Sequence, residues 1–225
     1  MKTRVGDQSE LQGGFREGYR SRIDKETETG DVGYYAVRLT DYDILSELTA
    51  TDRCSFQRYT YPSGAQGRVM IDLQIPAEYG YRIVECQVAK SGPRTLKGFC
   101  RQDSPGVWSH DADQFYTLYF TIEFDRDIER FAGWSDRGPW EGESCRMESP
   151  KDFGCYVEFA PCKDNVVRMR TGVSFVDAEG ADRNLRAEVS DPFGWDFEAV
   201  RQHQLAGTAP PQLLGKVFGK ALLRE

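Results

Sequence analysis

Three pairs of aspartates two residues apart, Asp41 with Asp43, Asp111 with Asp113 and Asp125 with Asp127, have the spacing that aims both carboxyls to one side of an extended chain. Two carboxyl groups about 6.5 to 9.5 Å apart can divide a hydrolysis between them, one protonating the leaving oxygen and the other activating water. With 36 acidic residues in the chain, such pairs arise without any chemistry, and solvated turn carboxylates are the favoured reading of all three. No Asp-x-Asp-x-Asp-Gly loop of the calcium-binding kind is present. His110 lies between Ser109 and Asp111, but a Ser-His-Asp triad is assembled in space from separated residues, and neighbours on an extended segment point apart. His110 therefore reads as a surface-loop residue. Cys54, Cys86, Cys100, Cys145, Cys155 and Cys162 form no Cys-x-x-Cys pair, and His110 and His203 are the only histidines. Zinc is disfavoured against buried thiols or a disulfide, for which Cys145, Cys155 and Cys162 are close enough in sequence. These residues assign no catalytic residue and no metal site.

The elements that would position any site are mainly strands. From Gly33 to Pro62, Tyr35, Val37 and Leu39 alternate with Ala36, Arg38 and Thr40, and the two-residue period continues through Tyr42, Ile44, Leu48 and Ala50. Cys54 and Phe56 then interleave with Ser55 and Gln57, and Pro62-Ser63-Gly64 makes a turn. Three consecutive strands are expected there. The clearest strand is Tyr116 to Phe124, and Met70–Leu73, Arg82–Val88, Leu96–Cys100, Cys155–Phe159 and Val166–Val176 are further candidates. Ala181, Leu185 and Val189, four apart, predict a helix of about two turns. A second helix begins near Trp195, with Gly207, Pro210 and Pro211 breaking it, and Leu213 to Leu223 could form a short terminal one. The fold class is all-β, an antiparallel β-sandwich with a short helical C-terminal segment. Residues 1–18 are polar and Gly-rich and expected to be disordered, 19–190 to form the sandwich, and 191–225 a helical linker and tail. Within this division, the charged segment from Tyr19 to Asp31 reads as a loop.

The residues of that β-rich stretch resemble the N-terminal domain of glycoside hydrolase family 92, the calcium-dependent exo-α-mannosidases. The resemblance runs through Tyr35, Val37 and Leu39, then Asp41, Tyr42 and Ile44, then Glu47 to Thr51, then Arg58, Tyr59, Tyr61 and Pro62. It continues at Val69 to Leu73, at Gly172 to Val176 with Glu179, Gly180, Ala181, Asn184 and Leu185, and at Trp195, Asp196 and Phe197. It covers roughly residues 19 to 202, and departs from the family at Gln57, where a His usually precedes the Arg-Tyr pair. It implies a supersandwich-like domain that helps wall a pocket for a terminal α-mannoside. A helical (α/α)6 catalytic domain, expected to be absent here, would supply the acid, the base and the calcium ligands, so no cofactor is expected in this chain. The implied function is that of a partial α-mannosidase, an accessory carbohydrate-binding domain inactive alone. A stand-alone carbohydrate-binding sandwich is the alternative, and an autonomous enzyme with an unrecognised carboxylate pair is a third reading.

Sugar rings offer apolar faces to aromatics and hydroxyls to fixed polar groups, so Trp134 and Trp140, in what reads as an exposed loop, are candidate substrate contacts alongside Arg58 and Tyr59. Packing is the competing role for the two tryptophans, and an ion pair with a buried acid such as Glu47 is the competing role for Arg58. A net charge of −7 disfavours nucleic acid, and no apolar run approaches membrane-span length. The basic start MKTRVGDQSELQGG has no apolar stretch behind it, so no secretion signal is expected there, although the resemblance implies a commonly exported family.

Overall fold

Period-two patterning organises most of this chain, and the computed structural model, which describes residues 21–74, 82–104 and 114–207, turns it into two antiparallel sheets. The strands are β1 (Ile23–Asp31), β2 (Tyr34–Leu39), β3 (Ile44–Ala50), β4 (Cys54–Thr60), β5 (Gly67–Asp72), β6 (Arg82–Gly92), β7 (Thr95–Ser104), β8 (Gln114–Phe124), β9 (Arg130–Ser135), β10 (Gly138–Glu141), β11 (Ser144–Glu148), β12 (Phe153–Phe159) and β13 (Val166–Ser174). One sheet has nine strands in the order β1-β2-β3-β4-β13-β8-β7-β6-β11, and the other has four, β10-β9-β12-β5. The expected all-β sandwich is the observed architecture, and the three strands expected between Gly33 and Pro62 are β2, β3 and β4.

Alternating residues of both sheets meet in the main core, where Leu96, Ile122, Phe124 and Val167 of the larger sheet pack on Phe153, Cys155, Val157 and Phe159 of the smaller. The rings of Phe124 and Phe159 stand 5.1 Å apart at that junction. The other face of the nine-stranded sheet carries a third layer: α1 (Ala178–Leu185), a π-helical turn over Arg186–Ser190, the single-turn α2 (Asp191–Phe193) and α3 (Phe197–Gly207). Leu185, Val189, Phe197 and Val200 form a second core with Cys54 and Phe56. β4 is thus covered on both faces, whereas its sequence suggested one buried face. None of the described helices is long and apolar enough to cross a membrane.

The helices are tied to the sheet by polar contacts as well. Asp177 caps α1 through the Gly180 amide, Asp182 meets Lys97 and Thr121, and Glu188 accepts from the Arg53 amide at 2.9 Å. At Gly172 on β13, the absence of a side chain lets the helix approach: a Cβ there would lie 2.6 Å from the Ala181 carbonyl oxygen and 2.6 Å from Leu185 Cβ. Overpacking against backbone is relieved only by moving the helix, so Gly172→Ala is expected to cost about 1–3 kcal/mol, read by urea unfolding. A variant as stable as the parent would mean that α1 does not bear on β13.

Several expectations need correction. Ile23–Asp31 is not a loop but the edge strand β1, paired with β2, and its charged residues suit a strand exposed to water on its open side. The Trp134–Trp140 segment is not an exposed loop but the β9–β10 hairpin, in register Pro139 to Trp134 and Trp140 to Gly133. Cys145, Cys155 and Cys162 do not pair: they sit on β11, on β12 and after β12, and all six cysteines are free. The expectations for residues 1–18, for the terminal helix at Leu213 to Leu223 and for the Ser109-His110-Asp111 segment lie outside the described residues.

Candidate functional site

The Arg58 neighbourhood is built by two adjacent strands and the last helix. Glu47 on β3 and Arg58 on β4 are direct register partners on the face that α3 covers. Arg58 donates through Nε and a terminal nitrogen to both Glu47 oxygens, at 2.6 Å each, the bidentate fork that fixes a guanidinium best. Tyr34 on β2 donates its hydroxyl to Glu47 at 2.8 Å, and Arg58 reaches Glu198 of α3 at 2.9 Å. The Arg58 guanidinium lies 4.4 Å from the Phe197 ring centroid, and that of Arg201 lies 3.7 Å from the ring of Tyr34. Burial by itself would raise the Glu47 pKa, but the hydrogen bonds from Arg58 and Tyr34 outweigh it and hold the carboxyl below its ordinary value. An acid held ionised and fully engaged cannot serve as a proton donor at neutral pH. The cluster clamps α3 to the sheet, and the ion pair with Glu47 is the structural role weighed for Arg58 on sequence.

Tyr59 follows Arg58 in sequence and points the other way, as strand geometry requires. It packs half-buried against the sandwich core, and burial pushes its phenol up to about 12. Arg58 and Tyr59 therefore cannot both touch one small ligand. The two tryptophans are separated in the same manner. Trp140 turns inward, edge-on to Phe131 at 5.3 Å and stacked on Phe153 at 5.9 Å. Trp134 lies on the opposite face of its strand pair, over Gly154, with its indole nitrogen 3.1 Å from an Asp152 oxygen. It is 2% exposed and has no open ring face for a sugar. The four candidates thus occupy separate environments.

The described aspartate pairs are each matched by arginine. Asp41 accepts from the Arg22 amide and side chain at 2.8 Å each, Asp43 is bound by Arg38, Asp125 by Arg168 at 2.9 Å, and Asp127 by Arg94 at 2.5 Å. Asp111 and Asp113 are outside the described residues. Every described carboxyl whose pKa is clearly displaced moves downward: Glu28, Asp41, Glu47, Asp164, Asp182 and Glu188. A general acid needs the opposite displacement. Asp125 and Asp127 flank an open depression of about 310 Å³ with Arg94, Arg126 and Cys162. Sequence reasoning missed it, since only the fold brings residues 94, 125–129 and 160–162 together. Calcium takes six to eight oxygen ligands, and among the described residues no three His, Cys, Asp or Glu side chains are grouped to hold a metal. The described residues do not fit that ion.

Comparison with known proteins agrees with this architecture. The family model of the glycosyl hydrolase family 92 N-terminal domain matches residues 4–174. No curated protein matches the chain. Among solved structures, a family GH92 α-mannosidase of Bacteroides thetaiotaomicron in complex with mannoimidazole superposes with a TM-score of 0.72 at 22% identity, covering 92% of this chain and 26% of that one. A family GH92 inverting mannosidase of Bacteroides thetaiotaomicron VPI-5482 gives 0.66 at 18% identity, covering 83% and 23%. The GH92 family glycosyl hydrolase ccman5 gives 0.67 at 20% identity, covering 83% and 24%. The present chain spans about a quarter of the length of each of these structures.

Proposed function

Because this chain belongs to glycosyl hydrolase family 92, whose N-terminal domain it carries over residues 4–174, we propose that it is the accessory, pocket-forming β-sandwich of an enzyme that hydrolyses terminal α-mannosides. The observation that carries the reading is the match itself: the sandwich corresponds to about a quarter of proteins described as mannosidases. A helical catalytic domain would supply the acid, the base and any calcium ligands. The state of the described carboxylates supports this division, since those clearly displaced are held in the ionised form by arginine, lysine or hydroxyl partners. This domain would contribute a rigid wall with its helical layer fixed against the larger sheet. The α-mannoside would bind where that wall meets the catalytic domain, and Arg58, Tyr59, Trp134 and Trp140 would act chiefly by keeping the sandwich in shape.

The purified chain is expected to release no mannose from α-mannosides, with or without calcium, in an assay that detects free mannose. It should likewise give no saturable heat on titration with mannobiose at micromolar concentrations. Calcium-stimulated turnover by the isolated chain would overturn the accessory reading.

A further inference from the structure

Three cysteines meet at one end of the nine-stranded sheet. Cys86 on β6 is the direct register partner of Cys100 on β7. Cys145, on the edge strand β11, stands opposite Val88 and packs against the same core as the other two. The backbone hydrogen bonds show which kind of cross-strand pair Cys86 and Cys100 make. Lys90 on β6 donates its amide to the Glu143 carbonyl beside β11 at 2.8 Å. Residues an even number apart in a strand point their polar groups the same way, so the amide and carbonyl of Cys86 also turn toward β11 and away from β7. At the start of β7, Phe124 donates to the Arg94 carbonyl at 2.9 Å, and the same parity turns the polar groups of Cys100 toward β8. Both strands independently make Cys86 and Cys100 a non-hydrogen-bonded pair, the geometry with Cα atoms about 4.5 Å apart and side chains closest. That separation falls within the roughly 4.4–6.8 Å Cα range of disulfides, and the Cβ atoms need approach by only about 1 Å.

We propose that Cys86 and Cys100 form a dithiol that closes to a cross-strand disulfide when the chain meets a small disulfide oxidant. One thiolate of the pair attacks a sulfur of the oxidant, forming a mixed disulfide and expelling the first thiolate. The second cysteine then attacks the mixed disulfide at the protein sulfur, forming the Cys86–Cys100 bond and expelling the second. Two electrons and two protons leave the pair, and the oxidant is reduced to two thiols. Cys86 and Cys100 are 0% and 4% exposed in the folded chain, so the oxidant reaches them when β11, the last strand of its sheet and paired with β6, separates locally. Burial pushes the thiol of Cys86 up to about 12 and that of Cys100 up to about 11. Closure is therefore slow at neutral pH and faster as thiolate accumulates.

The test is incubation of the folded chain with oxidised glutathione, followed by alkylation of remaining thiols and a non-reducing peptide map. The expected result is a peptide joining Cys86 to Cys100, formed faster at pH 9 than at pH 7 and retained in Cys145→Ser. A link from Cys86 to Cys145, glutathione adducts without any internal link, or a Cys86–Cys100 link that forms only in urea would each overturn the proposal.

Discussion

Phe56→Ala is expected to lower the unfolding free energy by about 3–5 kcal/mol, the usual cost of emptying a large aromatic site in a core. Phe56 is fully buried, and its ring lies edge-on to Phe197 at 5.4 Å and to Trp195 at 6.0 Å. It thus bridges β4 and the start of α3, beside the Arg58 guanidinium, which lies over the same Phe197 ring. The cavity left by Ala would be bounded on one side by a sheet that cannot move and on the other by short helices that can. Partial collapse of the helices onto β4 would therefore recover some of the loss, at the expense of their position. For a chain of this size the change corresponds to a fall in Tm on the order of 10 °C. Trp195 offers a local reporter, because the Arg170 guanidinium lies 4.0 Å from its ring. Tryptophan fluorescence should shift in the folded variant, and thermal unfolding should occur at lower temperature. A variant with unchanged Tm would mean that the helical layer contributes nothing to the stability of the sandwich, and the three-layer description would fail.

The strands were legible wherever one face was apolar and the other polar, as in β2, β3 and β8. The same criterion failed at β1, whose Asp, Lys, Glu and Thr residues leave no apolar face to detect because the strand lies at the edge of the sheet. It failed again at β10, where Gly138 and Pro139 signal a break. Proline is tolerated there because β10 is an edge strand, whose outward amide owes no ladder bond. The pairing of Glu47 with Arg58 could be anticipated, since a short turn joins their strands and fixes the register. The pairing of Cys86 with Cys100 could not, because register shifts lie on either side of it in the β6–β7 ladder. Separation of the four sugar-contact candidates also depends on parity and burial: adjacent residues such as Arg58 and Tyr59 share a motif in sequence but face different layers in space. What covers the helical face of β4 is decided by Leu185, Val189, Phe197 and Val200, more than a hundred positions away, which no local pattern reveals.

Arg58→Met is expected to destabilise the chain by about 3 kcal/mol at pH 7, near the lower end of the range for breaking a buried ion pair. The substitution keeps an unbranched apolar stem against Phe197 but removes the fork that neutralises Glu47. Tyr34 would remain as a donor to that carboxylate, and this keeps the loss from being larger. The pH dependence separates charge from packing. In the parent, Glu47 has a folded pKa held below its ordinary value. Its stabilising contribution is therefore fully present above the unfolded pKa, near 4.5, and is lost as pH falls through the lower folded value. In Arg58→Met the buried carboxylate has lost its cation, so its pKa rises and protonation relieves the penalty. The difference in stability between parent and variant should accordingly be largest at neutral pH and shrink as the medium is brought toward pH 4. Urea unfolding of both proteins at pH 7 and pH 4 measures this directly. An equal deficit at the two pH values would show that Arg58 acts through its stacking on Phe197, and the electrostatic clamp between sheet and α3 would have to be abandoned.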